Sequence, residues 1–218
     1  MQNSQGGKIL FISFEGIDKS GKTTQVRLLA TFLTQKKYKV EVTKEPGGTF
    51  LGNKMKKIIL RDENIENIFP LAEFFLYLVD RVHHVEEVIK PALKENKIVI
   101  SDRYADASVA YQGYGRGIDI EFVKNLNRIA TQGIEPDITF LLDIEPEKAL
   151  LREKRGDRIE RENLDFHRKV REGYLKIAKL NPERFKVIRA ELPLLEIHNM
   201  IKNVVLKELA ERGKKGEL

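Results

Sequence analysis

The stretch Gly16–Thr23, "GIDKSGKT", constrains the fold of this chain more than any other segment, because it matches G-x-x-x-x-G-K-[ST] between two different periodicities. Before it, "KILFISFE" is a nearly continuous apolar run, which is typical of a strand buried on both faces. After it, Val26, Leu29 and Leu33 recur at helical spacing. Chance would produce the motif in about one chain in a hundred of this length. The order of strand, glycine loop and helix predicts a phosphate-binding loop.

The residues of this loop have the chemistry that a nucleoside triphosphate needs. Glycines let backbone N–H groups curl around the α- and β-phosphates. Lys22 can reach the β and γ oxygens, and the hydroxyl of Thr23 can hold Mg²⁺. A glycine-rich turn without a ligand is the weaker interpretation, because a strand and a helix flank the motif as it requires. The sequence therefore predicts a triphosphate site that works with magnesium.

The rest of the chain repeats the alternation of strand and helix. Four more apolar runs are followed by helical patterns, and Pro91 interrupts the long helical pattern of residues 71–95. Strands joined by helices imply right-handed crossovers and a parallel sheet that is covered on both sides. We therefore expect an α/β three-layer sandwich with a five-stranded parallel sheet flanked by helices. The other four strands are predicted in "YKVEVTKE", "KIVISD", "ITFLLDI" and "RFKVIRA".

Composition limits the class of protein. The 218 residues are expected to form one domain, and their 41% hydrophobic and 33% charged residues are typical of a globular protein. No cysteine is present, which excludes disulfides and cysteine metal sites. The chain shows no signal-like start and no apolar run near ~18 residues, so we expect a cytoplasmic protein without membrane contact. Residues 1–7 and 212–218 are expected to be flexible tails.

The net charge of +6 suits polyanionic phosphate substrates as well as nucleic acid. A nucleotide-dependent nucleic-acid binder is a distant alternative, because the sequence offers no groove-reading helix or aromatic-studded basic strand, and we expect no nucleic-acid partner. A GTPase would show N-K-x-D and a transporter would show L-S-G-G-Q, and neither motif occurs. A kinase is the interpretation that remains.

The third predicted strand ends in "SDRY". This places Asp102 and Arg103 at the carboxyl edge of the sheet, where open α/β folds bind ligands. A carboxylate there can orient magnesium through water, and an arginine can clamp a phosphate with two N–H donors. We therefore predict a metal site at Thr23 and Asp102 and a phosphate contact at Arg103.

Five segments, in matching order and spacing, resemble the thymidylate kinase family, whose members phosphorylate dTMP with ATP. The segments are "FEGIDKSGKTTQ", "KEPGGTFLG", "LYLVDRVHHVEEVIKPAL", "SDRYADASVAYQGYGRG" and "RGDRIERENLDFHRKVREGY". The resemblance implies the fold of the P-loop nucleoside monophosphate kinases, ATP and dTMP as partners, dTDP as product, and a homodimer formed through helices. Another nucleoside monophosphate kinase or a deoxynucleoside kinase of the same fold is the alternative.

The resemblance also implies which residues serve ATP and the transfer. The arginine-rich segment 152–162 would be a lid that closes over ATP, with Arg155 reaching the transferring phosphoryl group and Arg152 and Arg158 behind it. The implied catalytic residues are Lys22, Arg103, Arg155, Lys19 and Asp18. The implied ATP-binding residues are Gly16, Ile17, Asp18, Lys19, Ser20, Gly21, Lys22, Thr23, Thr24 and Arg152.

For dTMP, the resemblance implies that Tyr77 stacks on thymine while Arg81 reaches a base oxygen. Ser108 and Gln112 would hydrogen-bond the pyrimidine edge, and Tyr111 would lie under the sugar. The complete implied set is Asp18 near the sugar 3′-hydroxyl, Pro46, Lys56 in place of a family arginine, Tyr77, Arg81, Arg103 on the acceptor phosphate, Ser108, Tyr111 and Gln112. We expect the histidines, at positions 83, 84, 167 and 198, to be structural or exposed.

Overall fold

The centre of the protein is a sheet of five parallel strands: β1 (Phe11–Glu15), β2 (Val40–Lys44), β3 (Ile98–Asp102), β4 (Ile138–Asp143) and β5 (Phe185–Arg189). In space their order is β2-β3-β1-β4-β5. This computed structural model describes residues 10–61, 68–151 and 156–215. The five-stranded parallel sheet that the sequence predicts is confirmed, with the strands where the apolar runs placed them.

Helices connect the strands and cover both faces of the sheet. Because successive side chains of a strand point to opposite faces, Ile12 packs in a cluster with Leu29, whereas Phe11 and Val99 pack with Val85 on the other side. The described helices are α1 (Lys22–Gln35), α2 (Phe50–Arg61), α3 (Pro70–His84), α4 (Lys90–Lys94), α5 (Ala105–Ser108), α6 (Ile120–Thr131), α7 (Pro146–Leu150), α8 (Leu164–Leu180) and α9 (Leu194–Lys215).

The long helical pattern of residues 71–95 is interrupted as predicted, but the interruption begins before the proline. Between α3 and α4 lies a π-helical segment, Val85–Ile89, in which the Lys90 N–H donates to the Val85 carbonyl. In a regular α-helix the ring of Pro91 would clash with the carbonyl of Glu87. We attribute the wider turn to this proline. A second π-helical segment, Val109–Gly115, follows α5 and contains the "AYQG" motif.

The carboxyl end of the chain differs from the expectation of a tail that starts at residue 212. Helix α9 continues to Lys215, so residues 212–215 are helical. Arg212 donates to Asp137 over 2.6 Å and to Glu208, four residues earlier, over 2.7 Å. These contacts fix the last turn of α9 to the body of the protein. The expected tail at residues 1–7 and the last three residues of the other tail lie outside the described residues. No helix that the structure describes combines the length and the apolar character of a membrane span.

The register of the strands brings three loops to one edge of the sheet. Asp102, at the end of β3, pairs with Phe14 of β1 on one side and with Lys44 of β2 on the other. Parallel strands end on the same edge, so the segments that follow β1, β2 and β3 are neighbours. These segments are the glycine loop Gly16–Thr23, the "EPGG" loop after β2 and the "RY" pair after β3.

Candidate active site

The glycine loop has the backbone that its motif predicts. Gly16 and Gly21 have φ angles of 134° and 97°, which side chains disfavour, and a Cβ atom on Gly16 would lie 2.5 Å from the Leu142 carbonyl oxygen. Helix α1 begins at Lys22, directly after the loop, and the first N–H groups of a helix have no intrahelical partner. The loop therefore presents backbone donors and the positive end of a helix to a phosphate.

Lys22 is buried at the base of this loop. Its Nζ donates to the Ile17 carbonyl oxygen over 2.8 Å and to the Ser20 hydroxyl over 3.3 Å. Burial and the neighbouring Arg103 charge lower the pKa of Lys22 to about 8, although Asp18 opposes them. A phosphate that brings negative charge to this ammonium group would restore its usual protonation.

Arg103 joins the end of β3 to the glycine loop. Its backbone is left-handed, with φ at 71°, and the Ser101 hydroxyl holds this turn by donating to the Arg103 carbonyl over 2.6 Å. The Arg103 Nη2 donates to Asp18 Oδ1 over 2.6 Å, to the Tyr111 hydroxyl over 3.1 Å and to the Gly16 carbonyl over 3.3 Å. Within the described residues, no acceptor meets its Nε or Nη1 groups. Those donors are therefore left for a ligand.

Asp18 is the acidic partner of this arginine. The Tyr111 hydroxyl donates to Asp18 Oδ2 over 3.0 Å, while Arg103 occupies Oδ1. Burial favours the neutral acid, but the charges of Arg103 and Lys22 outweigh it and lower the pKa of Asp18 to about 2. The carboxylate is consequently ionised at neutral pH and acts as an acceptor.

A cavity of 380 Å³ lies between the three loops and helix α3. Its lining includes every residue that the sequence assigns to the dTMP site and both residues that the sequence assigns to magnesium. The nine dTMP residues are Asp18, Pro46, Lys56, Tyr77, Arg81, Arg103, Ser108, Tyr111 and Gln112, and the metal pair is Thr23 and Asp102. The structure therefore brings together residues from five separate segments of the chain.

The metal pair has suitable atoms in suitable places. The Thr23 hydroxyl donates to Asp102 Oδ2 over 2.5 Å. Asp102 Oδ1 is buried and has no hydrogen-bond partner in the part of the chain that the structure describes. A buried carboxylate oxygen that lacks a donor, next to a hydroxyl at the mouth of a phosphate-binding loop, fits a hard oxygen-seeking cation such as Mg²⁺.

Arg81 has a more enclosed position than the sequence suggests. It is 1% exposed, and its Nε and Nη2 contact Glu45 Oε2 at 2.9 and 2.8 Å. Its Nη1 donates to the Ser108 hydroxyl over 3.0 Å and to Asn127 Oδ1 over 2.6 Å, and its Nη2 also points at the Tyr104 carbonyl at 3.4 Å. All five N–H groups are therefore directed at protein acceptors. Contact with a base oxygen would require sharing one of them.

The same buried network holds the "EPGG" loop. His84 is fully buried and contacts Glu45 Oε1 at 2.8 Å and the Thr43 hydroxyl at 2.5 Å, which confirms a structural role for this histidine. Asp80 accepts from the Gly47 N–H over 3.1 Å. Burial and the Glu45 carboxylate raise the pKa of Asp80 to about 6. Sequence reasoning missed Glu45 and Asp80 as site residues, although both flank residues that it did select.

The described part of the predicted lid lies against the cavity. Arg158 donates from Nε to the Ile59 carbonyl over 2.7 Å and from Nη2 to Glu73 over 2.5 Å, so it contacts α2 and α3 and not the glycine loop. Glu160 lies 3.4 Å from Lys19 Nζ, and burial together with Asp18 raises the pKa of Glu160. Arg152 and Arg155, which the sequence assigns to ATP, lie outside the described residues.

The pKa of Lys22 predicts how ATP binding depends on pH. The ammonium form dominates below about pH 8 and is lost above it, so the Kd for ATP should be flat between pH 6.5 and 7.5 and should rise by up to about tenfold per pH unit above 8. Calorimetric titration of ATP between pH 6.5 and 9.5 measures this. In Lys22→Arg, whose guanidinium stays charged, the slope should vanish even if affinity falls. A flat wild-type profile, or the same slope in Lys22→Arg, would contradict the assignment.

Comparison with known proteins gives the family. The family model for thymidylate kinase matches residues 14–201. A thymidylate kinase from Thermoanaerobacter sp. (strain X514) is 49% identical over 201 residues, which cover 91% of this chain and 98% of that protein. One from Caldanaerobacter subterraneus subsp. tengcongensis is 50% identical over 197 residues, which cover 89% of this chain and 94% of that protein.

A solved structure agrees. The crystal structure of thymidylate kinase from Ehrlichia chaffeensis superimposes with a TM-score of 0.74 at 36% identity, covering 90% of this chain and 98% of that one. The family model, the curated relatives and the solved structure agree, and the chain therefore belongs to the thymidylate kinase family.

Proposed function

We propose that the protein, which as a member of this family phosphorylates dTMP with ATP, does so by one direct in-line transfer across the Arg103–Asp18 pair. The observation that carries this proposal is the position of Arg103. One of its nitrogens contacts the glycine loop, through Gly16 and Asp18, and the residue also lines the cavity that would take the acceptor. An arginine in that position can hold an acceptor phosphate beside the terminal phosphate of ATP.

Charge neutralisation and positioning supply the catalysis in this proposal. Lys22, at the base of the glycine loop, would contact the β and γ oxygens. Lys19, in the same loop, and Arg155, from the lid, would add positive charge. No general base is needed, because a phosphate monoester is already mostly ionised near neutral pH. Asp18, with its low pKa, is a poor base and serves instead to orient the sugar 3′-hydroxyl.

Magnesium belongs to the same proposal. Thr23 and the Asp102 carboxylate, whose Oδ1 is buried, would hold it directly or through water. When bound, the ion neutralises charge on the β- and γ-phosphates.

Four residues of the cavity would bind the base and the sugar of dTMP. Tyr77 covers the base and Tyr111 lies beneath the sugar, while Ser108 and Gln112 contact the pyrimidine edge. Arg81 was expected to reach a base oxygen, but its N–H groups all point at acceptors of the protein. We assign it the task of holding Ser108 from behind.

The lid is also a proposal. Residues 152–162 would close over ATP within a single kinase domain. The Lys19–Glu160 contact and the contact of Arg158 with α2 and α3 support this, because they attach the described part of the segment to both halves of the site. Lys19 would share charge stabilisation with Arg155.

A homodimer is supported by apolar side chains that α3 leaves exposed. Leu71, Phe75, Val79 and Val82 follow one another at spacings of four, four and three residues, so they form one stripe along the helix. Helix α6 packs against α3 and carries two more exposed apolar side chains. The two on α6 are Phe122 and Ile129. A stripe of this kind fits a second copy of the same surface.

A charge in this stripe should separate the dimer. We expect sedimentation at micromolar concentration to give a dimer for the wild type and a monomer for Val79→Glu, because a carboxylate would be buried without a partner. Leu180→Glu, at an exposed apolar position at the end of α8, is the matched control and should remain dimeric. A monomeric wild type, or a dimeric Val79→Glu, would refute the interface.

A panel of acceptors tests the substrate. With ATP and Mg²⁺, dTMP should be phosphorylated with a kcat/KM about tenfold above that of dUMP, which lacks one methyl group, and at least about a hundredfold above that of dCMP or AMP. Chelation of Mg²⁺ should reduce turnover to background. Faster phosphorylation of dCMP or AMP than of dTMP would favour the alternative of a different nucleotide kinase. Undiminished turnover after chelation would remove magnesium from the proposal.

A further inference from the structure

We propose that Glu73 is a positioning residue that determines which end of the Gln112 amide meets the base, and that it thereby selects pyrimidines with an N3–H group. The proposal rests on the proposed function, since it assumes that the cavity takes dTMP. Glu73 lies on α3, one helical turn before Tyr77, and is fully buried. The family resemblance did not select it.

The Glu73 carboxylate is the centre of a buried cluster. Its Oε1 accepts from Gln112 Nε2 over 2.9 Å and from Arg116 Nε over 3.2 Å. Its Oε2 accepts from Arg116 Nη2 over 3.0 Å and from Arg158 Nη2 over 2.5 Å. Two guanidinium groups therefore hold both oxygens as acceptors.

This cluster fixes the orientation of the Gln112 amide. A carboxylate that accepts from two arginines offers no hydrogen to an amide oxygen, so only the NH₂ end of Gln112 can face Glu73. The Gln112 Oε1 atom must then point elsewhere. No donor in residues 10–61, 68–151 or 156–215 reaches it, and Gln112 lines the cavity. The cavity consequently meets an acceptor at this position.

Ser108 presents the opposite polarity. Arg81 Nη1 donates to the Ser108 hydroxyl oxygen over 3.0 Å, which leaves the hydroxyl hydrogen to be donated. Ser108 and Gln112 are four residues apart on one helical stretch, and both line the cavity. The base therefore encounters one acceptor and one donor side by side.

This pair matches one class of pyrimidine edge. Thymine and uracil carry an N3–H donor between two carbonyl acceptors, so N3–H can donate to Gln112 and a carbonyl can accept from Ser108. Cytosine carries an acceptor at N3 beside an amino donor. In the same position its N3 would face the Gln112 Oε1 acceptor, and its amino group would face the Ser108 hydroxyl hydrogen. Gln112 cannot turn its NH₂ group toward that N3, because the NH₂ group donates to Glu73. A buried polar group left unpaired strongly disfavours the wrong substrate.

The variant Glu73→Gln tests this directly. The new amide would give its oxygen to the arginines and its NH₂ to Gln112, which would then rotate and present a donor to the base. We expect the ratio of kcat/KM for dTMP to that for dCMP to fall at least about tenfold. Both rates come from one preparation, so the ratio does not depend on the fraction that is folded.

Two further variants separate orientation from general loosening. Glu162 contacts Arg116 Nη1 at 2.6 Å but not Gln112, so Glu162→Gln weakens the same cluster and should leave the ratio at its wild-type value. Adding Gln112→Glu to Glu73→Gln restores an acceptor facing the base and should return the ratio toward wild type.

The outcomes keep the two proposals apart. A wild type that does not phosphorylate dTMP refutes the proposed function. A wild type that prefers dTMP, with an unchanged ratio in Glu73→Gln, refutes only the role of Glu73. An equal fall of the ratio in Glu162→Gln would also refute it. If Glu73→Gln does not fold, NMR of the wild type with dTMP decides. Slow hydrogen exchange of the Gln112 side-chain NH₂ supports its bond to Glu73, and fast exchange overturns it.

Discussion

The contact between Arg103 and Asp18 is the interaction on which the site depends. It crosses from the end of β3 to the loop after β1, two strands that are neighbours in the sheet. The left-handed backbone of Arg103 aims the side chain at that loop, and Glu15 supports the turn by accepting from the Tyr104 N–H over 2.8 Å. Burial raises the pKa of Glu15 to about 8, with Asp106 adding to the effect. Backbone strain of this kind persists only where its surroundings hold it.

Buried polar networks, and not the loop alone, give the cavity its shape. Glu45 and Glu73 are both buried, and each accepts from an arginine and from a second polar side chain. Such networks contribute little net stability, but breaking one leaves a charge without a partner. They fix orientation instead. Arg81 donates to the Ser108 hydroxyl and Glu73 accepts from the Gln112 amide, so buried partners orient both of these cavity-lining groups.

Much of this arrangement could be predicted from the sequence, because it depends on short motifs and on the order of strands and helices along the chain. The motif Gly16–Thr23 predicts its own strand, loop and helix, and a parallel sheet brings the following "SDRY" to the same edge. The partners of the selected residues could not be predicted in this way. Glu73 stands in the first turn of a helix, where an acidic residue is usually solvated, and Asn127 reaches Arg81 from 46 positions away. Contacts between distant segments, including those that anchor Arg212, appear only in the folded chain.

The central claim is that Arg103 serves the acceptor phosphate while the glycine loop holds ATP. Measuring Arg103→Ala separately for the two nucleotides tests it most directly. The claim predicts that kcat/KM for dTMP falls by about a hundredfold or more, because a charge-assisted contact to the reacting phosphate is lost, while the Kd for ATP changes by less than about threefold. An equal loss in ATP affinity and in turnover would place Arg103 in the triphosphate site and contradict the account.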